Sequence, residues 1–156
     1  MSSTIRIEPP RETDLPSIRA LLAELMEVMT DIKGFDIDRS VENLRSLMRE
    51  PAQHVLVARQ GRNVLGFVSF STRKTVMHPA LSGLIDELVV SGSTRGTGIG
   101  RLLIEAVVDK CRELGCCEVE ASTEKSNPRA RRFYKACGFE EDAVLLELNF
   151  VDSDDE

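Results

Sequence analysis

An α/β domain is what the sequence predicts, and three observations carry the prediction. Apolar residues recur at helical spacing in some stretches and alternate with polar ones in others. Two alternating runs flank Gly61-Arg62-Asn63, and a later apolar run leads through a glycine-rich turn into an amphipathic stretch. At 156 residues and 42% hydrophobic composition, the chain has the size of one domain with its own core. Residues 1–151 are assigned to that domain and the acidic run 152–156 to a solvated tail.

The elements follow in order. Residues 4–8 alternate before Pro9-Pro10, which cannot continue a ladder, so they form an edge strand. Asp14 is placed as an N-cap and Pro16 in the first turn of a helix carrying Ile18, Leu21, Leu22, Leu25, Met26 and Met29, stopped at Gly34. Asp38 or Ser40 starts a second helix, with Val41, Leu44, Leu47 and Met48 on one face and Pro51 beyond its end. Residues 54–59 and 64–71 make an antiparallel hairpin. A buried strand spans 84–90 and a helix 98–114, where Leu102, Leu103, Ala106, Val107 and Cys111 share a face before Gly115 ends it. A strand at 117–122, a short helix at 128–137 and a final strand at 143–151 complete the chain.

Several function classes are excluded at this level. A formal charge of −6 without clustered Lys and Arg argues against a nucleic-acid binder. No run approaches the roughly 20 apolar residues of a membrane span, and the first residues have no apolar signal core, which places the protein in the cytoplasm and off the membrane. Cys111, Cys116, Cys117 and Cys137 form no C-x-x-C pair and are expected as reduced thiols. His54 and His78 stand apart, so no metal site is expected.

The densest chemical signal is Arg95-Gly96-Thr97-Gly98-Ile99-Gly100-Arg101. Glycines let the main chain approach a ligand, and the amides of a helix start converge with the positive end of its dipole, a setting suited to a pyrophosphate. Tight strand-to-helix packing also selects glycine. A dinucleotide fingerprint starting at Gly96 fails because Arg101 stands where its third glycine belongs and Ser91-Gly92-Ser93-Thr94 intervenes after the strand. A nucleotide P-loop fails because Gly100-Arg101-Leu102 replaces G-K-[ST].

Leu88-x-Val90-x(4)-Arg95-x-x-Gly98-x-Gly100-x-x-Leu103, followed by Asn127-x-x-Ala130-x-x-Phe133-Tyr134-x-x-x-Gly138-Phe139, resembles the coenzyme-binding core of the GNAT (Gcn5-related N-acetyltransferase) superfamily. The resemblance implies a mixed, mostly antiparallel sheet with helices on both faces, whose central parallel strands splay to hold acetyl-CoA. It also implies an acetyl-CoA-dependent N-acetyltransferase acting on an amine, a small molecule rather than a protein, by direct transfer in a ternary complex. A homodimer is a further expectation. The competing class is an acyl-CoA-binding sensor without catalysis, which an amine panel assayed for CoA thiol release would distinguish.

By the same resemblance, backbone groups of Leu88, Val89 and Val90 pair with the pantetheine arm, and amides of Arg95, Gly96, Thr97, Gly98, Ile99, Gly100 and Arg101 hold the pyrophosphate. Asn127 and Phe133 flank the coenzyme, although Asn-Pro is equally a routine helix-start signal. Tyr134 matches the tyrosine that protonates the departing thiolate, and it is the single tyrosine of the chain. An alkylamine of pKa near 10.4 is neutral about once in a thousand molecules or less at pH 7, so a base is needed. Asp86 and Glu87 are the candidates, and in a regular strand one of them faces the acceptor. A bulge reverses that parity, so both stay open. His78 is a further candidate base, and Arg131 and Arg132 either reach phosphates or line a solvated helix face.

Overall fold

The computed structural model describes residues 4–29 and 34–151, so the acidic run 152–156 lies outside the described residues. Strand β1 (Ile5–Glu8) is followed by a 3-10 turn (Glu12–Asp14) and helices α1 (Leu15–Val28) and α2 (Ile37–Leu47). Strands β2 (Gln53–Gln60), β3 (Asn63–Arg73) and β4 (Ser82–Val90) come next, then a 3-10 turn (Gly92–Thr94), α3 (Ile99–Glu113), β5 (Glu118–Ala121) and α4 (Pro128–Ala136). The sheet order is β1-β2-β3-β4-β5, antiparallel throughout except for the parallel β4–β5 pair.

The hairpin forms where the alternation placed it, with Gln60 opposite Asn63 and Gly61 at a φ of +60° in the two-residue turn, a backbone region open to glycine. Helices cover both faces. On one, Leu15, Ile18, Leu21 and Leu22 of α1 and Leu44 of α2 pack on Val55, Val57, Phe67 and Val89. On the other, Ile99, Leu103, Ile104, Val107 and Cys111 of α3 pack on Ala58, Val68, Phe70 and Ile85. Most of the helical spacing read along both stretches is thus the buried stripe of each helix, but Leu102 and Met29, expected on those faces, are exposed, and Ile99 and Ile104 fill the α3 stripe instead.

Three local expectations are corrected. Asp14 precedes α1 but makes no side-chain cap; its two carboxylate oxygens instead accept from Arg59 Nη1 and Nη2 at 2.7 Å each, and one also accepts from the Arg11 amide. The α2 cap is Asp36, whose Oδ1 accepts from the amides of Asp38 and Arg39, rather than Asp38 or Ser40. Asp36 wins because its extended backbone aims the carboxylate at the open first-turn donors. The third correction is that residues 143–151 form no strand. A strand needs a ladder partner, and none within the described residues reaches this segment. The parallel pair therefore ends the sheet instead of lying inside it.

The Arg59–Asp14 pair is 6% exposed on both sides, and Arg59 also donates from Nε to Glu8 at 2.6 Å. These hydrogen bonds hold the Asp14 carboxyl below the usual carboxylate range, against the opposing effect of burial. Asp14→Asn leaves a buried guanidinium short of its counter-charge and is expected to cost about 3–5 kcal/mol of stability. A depressed pKa stabilises above the unfolded value, about 3.9 for Asp, and the contribution is lost as pH falls below that. Urea melts between neutrality and acid should show the wild type losing this increment and the variant lacking it at every pH.

Candidate active site

The β3–β4 ladder sets Glu87 opposite Ser69 and Ile85 opposite Phe70, which leaves Asp86 with no opposite residue. This bulge decides where the carboxylates point. Ile85 and Leu88 both pack with the α3-side cluster although two residues separate them. Ser69 and Ser71 share the opposite face with Phe67, which belongs to the α1–α2 cluster. The Ser69 hydroxyl accepts from the Glu87 amide at 3.1 Å and donates to the Glu87 carboxylate, while Ser71 hydrogen-bonds Asp86. Both acids therefore lie on the α1–α2 face, where a regular strand would have sent one to each side. Desolvation pushes the Asp86 carboxyl up, and the Ser71 hydrogen bond offsets part of that rise.

Parallel pairing of β4 with β5 runs from Ser82–Glu118 to Ile85–Ala121 and stops. β4 continues to Val90, so Glu87, Leu88, Val89 and Val90 pair with β3 on one side, and the stretch from Asp86 to Val90 has no β5 partner on the other. An extended ligand can add to such an edge as a strand. The Val89 side chain is buried in the α1–α2 cluster, so Val89 offers backbone alone.

The turn after β4 meets the same opening. Gly96 and Gly98 have φ of +80° and +89°, a region that side chains disfavour, with open space where a Cβ would be. Gly98 is the N-cap of α3 and no side chain caps this helix. The first-turn amides of Ile99, Gly100 and Arg101 therefore have no acceptor within α3, which suits an anionic ligand. Gly100 is glycine for a different reason: a Cβ there would lie 3.3 Å from the Phe133 ring. Phe133 thus packs α4 against the start of α3. Arg95 and Arg101 are exposed beside the turn, Arg101 Nε donating to Glu105 at 3.2 Å. Thr97 donates its hydroxyl to the Thr94 carbonyl. The Gly92 amide donates to Glu24 of α1, which ties the turn to that helix.

Tyr134 is half-buried on the α3 side, edge-on to Phe133 at 5.2 Å and to Phe139 at 5.4 Å between ring centres. Burial raises its phenol pKa above the ordinary value, with a smaller push from Cys137. Asn127 caps α4, its Oδ1 accepting from the Ala130 amide at 3.1 Å. The helix-start reading is thus satisfied, and the carboxamide NH2 is left for other contacts. Arg131 is engaged with Glu141 and Arg132 is exposed.

His54 is stacked on Phe70 at 4.8 Å, and burial lowers its pKa, as for a neutral core histidine. His78 Nε2 lies 2.7 Å from Glu118, and its Nδ1 meets the Thr75 hydroxyl. Donor atoms of His78, Glu118 and Glu120 lie within 4.8 Å of one another, with Arg73 Nη2 at 3.6 Å from Glu120. Sequence reasoning missed this network, along with the partners Ser69 and Ser71. Alternation along β3 puts Ser69 and Ser71 on one face, but which β4 residues they meet depends on the bulged register. Two clefts lie away from this edge, one of about 150 Å³ between α3 and Cys137 and one of about 330 Å³ around Pro9, Pro10, His54 and Leu114.

The acetyltransferase (GNAT) family model matches residues 16–139. The chain belongs to this family. It is an acetyl-CoA-dependent N-acetyltransferase, and the β4 edge and uncapped α3 start fit an extended arm ending in phosphate. Among GNAT relatives, the chain is 28% identical over 128 residues to an aminoalkylphosphonate N-acetyltransferase of Salmonella typhimurium, covering 82% of this chain and 80% of the other. It is 30% identical to an aminoglycoside N(6')-acetyltransferase of Stenotrophomonas maltophilia over 111 residues, 68% and 72% of the two chains. A solved aminoglycoside N-acetyltransferase in complex with CoA superposes with a TM-score of 0.81 at 22% identity, covering 97% of this GNAT chain and 98% of the other.

One substitution tests whether this turn holds the phosphate end of the coenzyme. Gly98→Val in this GNAT chain is expected to weaken acetyl-CoA binding about tenfold, since a side chain in the left-handed region costs about 1–2 kcal/mol. Isothermal titration checks it, and an unchanged Kd in a folded variant removes the turn from the site.

Proposed function

We propose that this GNAT chain transfers the acetyl group of acetyl-CoA directly to a primary amine of a small molecule in a ternary complex. One observation carries the reading. The bulged acids Asp86 and Glu87 lie on the α1–α2 face and Tyr134 on the α3 face, with the β4–β5 opening between them. A proton acceptor on the amine side and a proton donor on the thiolate side are what direct attack on a thioester requires.

Asp86 takes the amine proton, directly or through water; as the unopposed residue of the bulge it is the acid freest to turn into the opening. Glu87, fixed by Ser69, holds the ammonium group of the incoming amine. Tyr134 gives its proton to the departing sulfur. Backbone Leu88–Val90 aligns the pantetheine arm, and the amides from Arg95 to Arg101 hold the pyrophosphate, with Asn127 and Phe133 alongside. Direct transfer needs no enzyme thiol, and Cys111, buried with its thiol pushed up to about 12, and Cys137, which burial also raises, are poor nucleophiles. We assign residues 1–151 to one domain working in the cytoplasm, without metal, nucleic acid or membrane. Two clusters packed on one sheet and four free cysteines support that assignment.

The test is a broad panel of amines assayed for CoA thiol release. Release above background hydrolysis with at least one amine, and an acetylated amine in the product by mass spectrometry, is the expected result. Tight CoA binding with no release across the panel would make the chain a sensor.

A further inference from the structure

Between β4 and the glycine-rich turn, Ser91-Gly92-Ser93-Thr94 takes no part in the reaction described so far. Gly92 stands out within it. Its backbone does not lie in the left-handed region, unlike that of Gly96 and Gly98, so conformation alone does not call for glycine there. What a side chain would meet is Glu24 of α1: a Cβ on Gly92 would lie 2.5 Å from Glu24 Oε1, which accepts a hydrogen bond from the Gly92 amide. A glycine at 92 and a half-buried carboxylate at 24, 68 residues apart in the chain, are thus fitted to one another.

This contact is one of two anchors. The preceding amide, that of Ser91, donates to the Leu65 carbonyl of β3 at 2.8 Å, so consecutive amides tie the chain to the sheet and to α1. From there the turn is bonded along its length. The Thr94 amide and hydroxyl both donate to the Ser91 carbonyl, at 3.0 and 3.1 Å, and the Thr97 hydroxyl reaches the Thr94 carbonyl. A position set at Ser91 and Gly92 is thereby handed on to Gly98 and the start of α3. The negative charge of Glu24 gives an anionic ligand no help through space, so what Glu24 contributes is placement of the turn before the ligand arrives. We infer that Glu24 is a positioning residue for the coenzyme: its hydrogen bond to Gly92 holds the turn where the turn's amides meet the pyrophosphate. This role rests on the proposed binding of the pyrophosphate at the turn, and it brings in a residue of α1, outside the β4–α3 segment.

Isothermal titration with acetyl-CoA tests it. Glu24→Ala is expected to weaken binding about fivefold, as for one lost hydrogen bond that acts through placement. Glu24→Gln keeps an acceptor oxygen without the charge and should bind at least as tightly as the wild type. Gly92→Ala should match Glu24→Ala, because its methyl displaces the flexible carboxylate, and the double variant should be no weaker than either single one. Gly98→Val is the reference for the turn itself. If it weakens binding while Glu24→Ala and Gly92→Ala match the wild type, the turn holds the phosphates without Glu24 and the positioning role is overturned. If Gly98→Val leaves Kd unchanged, the turn is not the phosphate site and the role falls with it. Additive losses in the double variant, or a Glu24→Gln as weak as Glu24→Ala, overturn it as well. Should Glu24→Ala fail to fold, the other two variants decide: Gly92→Ala must weaken binding and Glu24→Gln must not, and either failure sinks the role.

Discussion

Tyr134→Phe is expected to lower kcat about a hundredfold while the acetyl-CoA Kd stays within a factor of about two, the pattern of a lost general acid. The ring is wedged between Phe133 and Phe139, and phenylalanine keeps those contacts, so binding and stability should hold. What disappears is the one phenolic proton of the chain. Burial places the phenol pKa above its ordinary value, so the group stays protonated throughout the range in which amines are acetylated. Steady-state rates at saturating amine, with Kd from titration, separate the two parameters. Equal turnover would make Tyr134 a packing residue.

Asp86→Asn should come next in size, lowering kcat/KM near pH 7 about thirtyfold, within the usual range of a lost general base. Both variants of the pair keep size and polarity, so the comparison with Glu87→Gln isolates basicity. The sign of the pH dependence follows from the direction of the shift. Desolvation raises the Asp86 pKa, so the carboxylate is lost as pH falls through a value above the ordinary 3.9 or so, and the acid limb of kcat/KM lies correspondingly high. Asp86→Asn should erase that limb and regain part of its rate as rising pH supplies neutral amine from solution. Glu87→Gln should keep the limb and raise KM for the amine, because it loses a counter-charge rather than the base. Should Asp86→Asn retain the wild-type profile, the base is elsewhere and His78 becomes the candidate.

Period and punctuation along the chain carried most of the fold. The α1 and α3 helices, the two-residue hairpin turn and the strand–glycine–helix step at Gly98 are local patterns, and each formed where the spacing put it, although Leu102 and Met29 of the expected stripes are exposed. Apart from the α2 cap, which moved by two residues to Asp36 within local contacts, what failed depended on partners distant in sequence. Asp14 looked like a cap because a short acid before an apolar-periodic run is usually one, yet Arg59, forty-five residues away, claims its carboxylate. Residues 143–151 read as a strand because their alternation is real, but alternation does not supply a ladder. At the site, residue types and the turn were legible, whereas the common face of Asp86 and Glu87 was not. That face depends on one extra residue in β4 against β3, a register property visible in neither strand alone.

The missing side-chain cap on α3 has a consequence for heat resistance. Without donor bound, the first turn of the longest helix among the described residues exposes its orphan amides to water, starting from a glycine that already favours many backbone states. In the proposed binding mode, acetyl-CoA would accept from those amides and so stand in for the missing cap. Its effect on unfolding then follows mass action, about 2.7 kcal/mol at a hundred times Kd, so the melting temperature of the enzyme rises with the concentration of its own donor. A chain without donor is then expected to open first at the start of α3, and limited proteolysis with and without acetyl-CoA reads that difference at this turn.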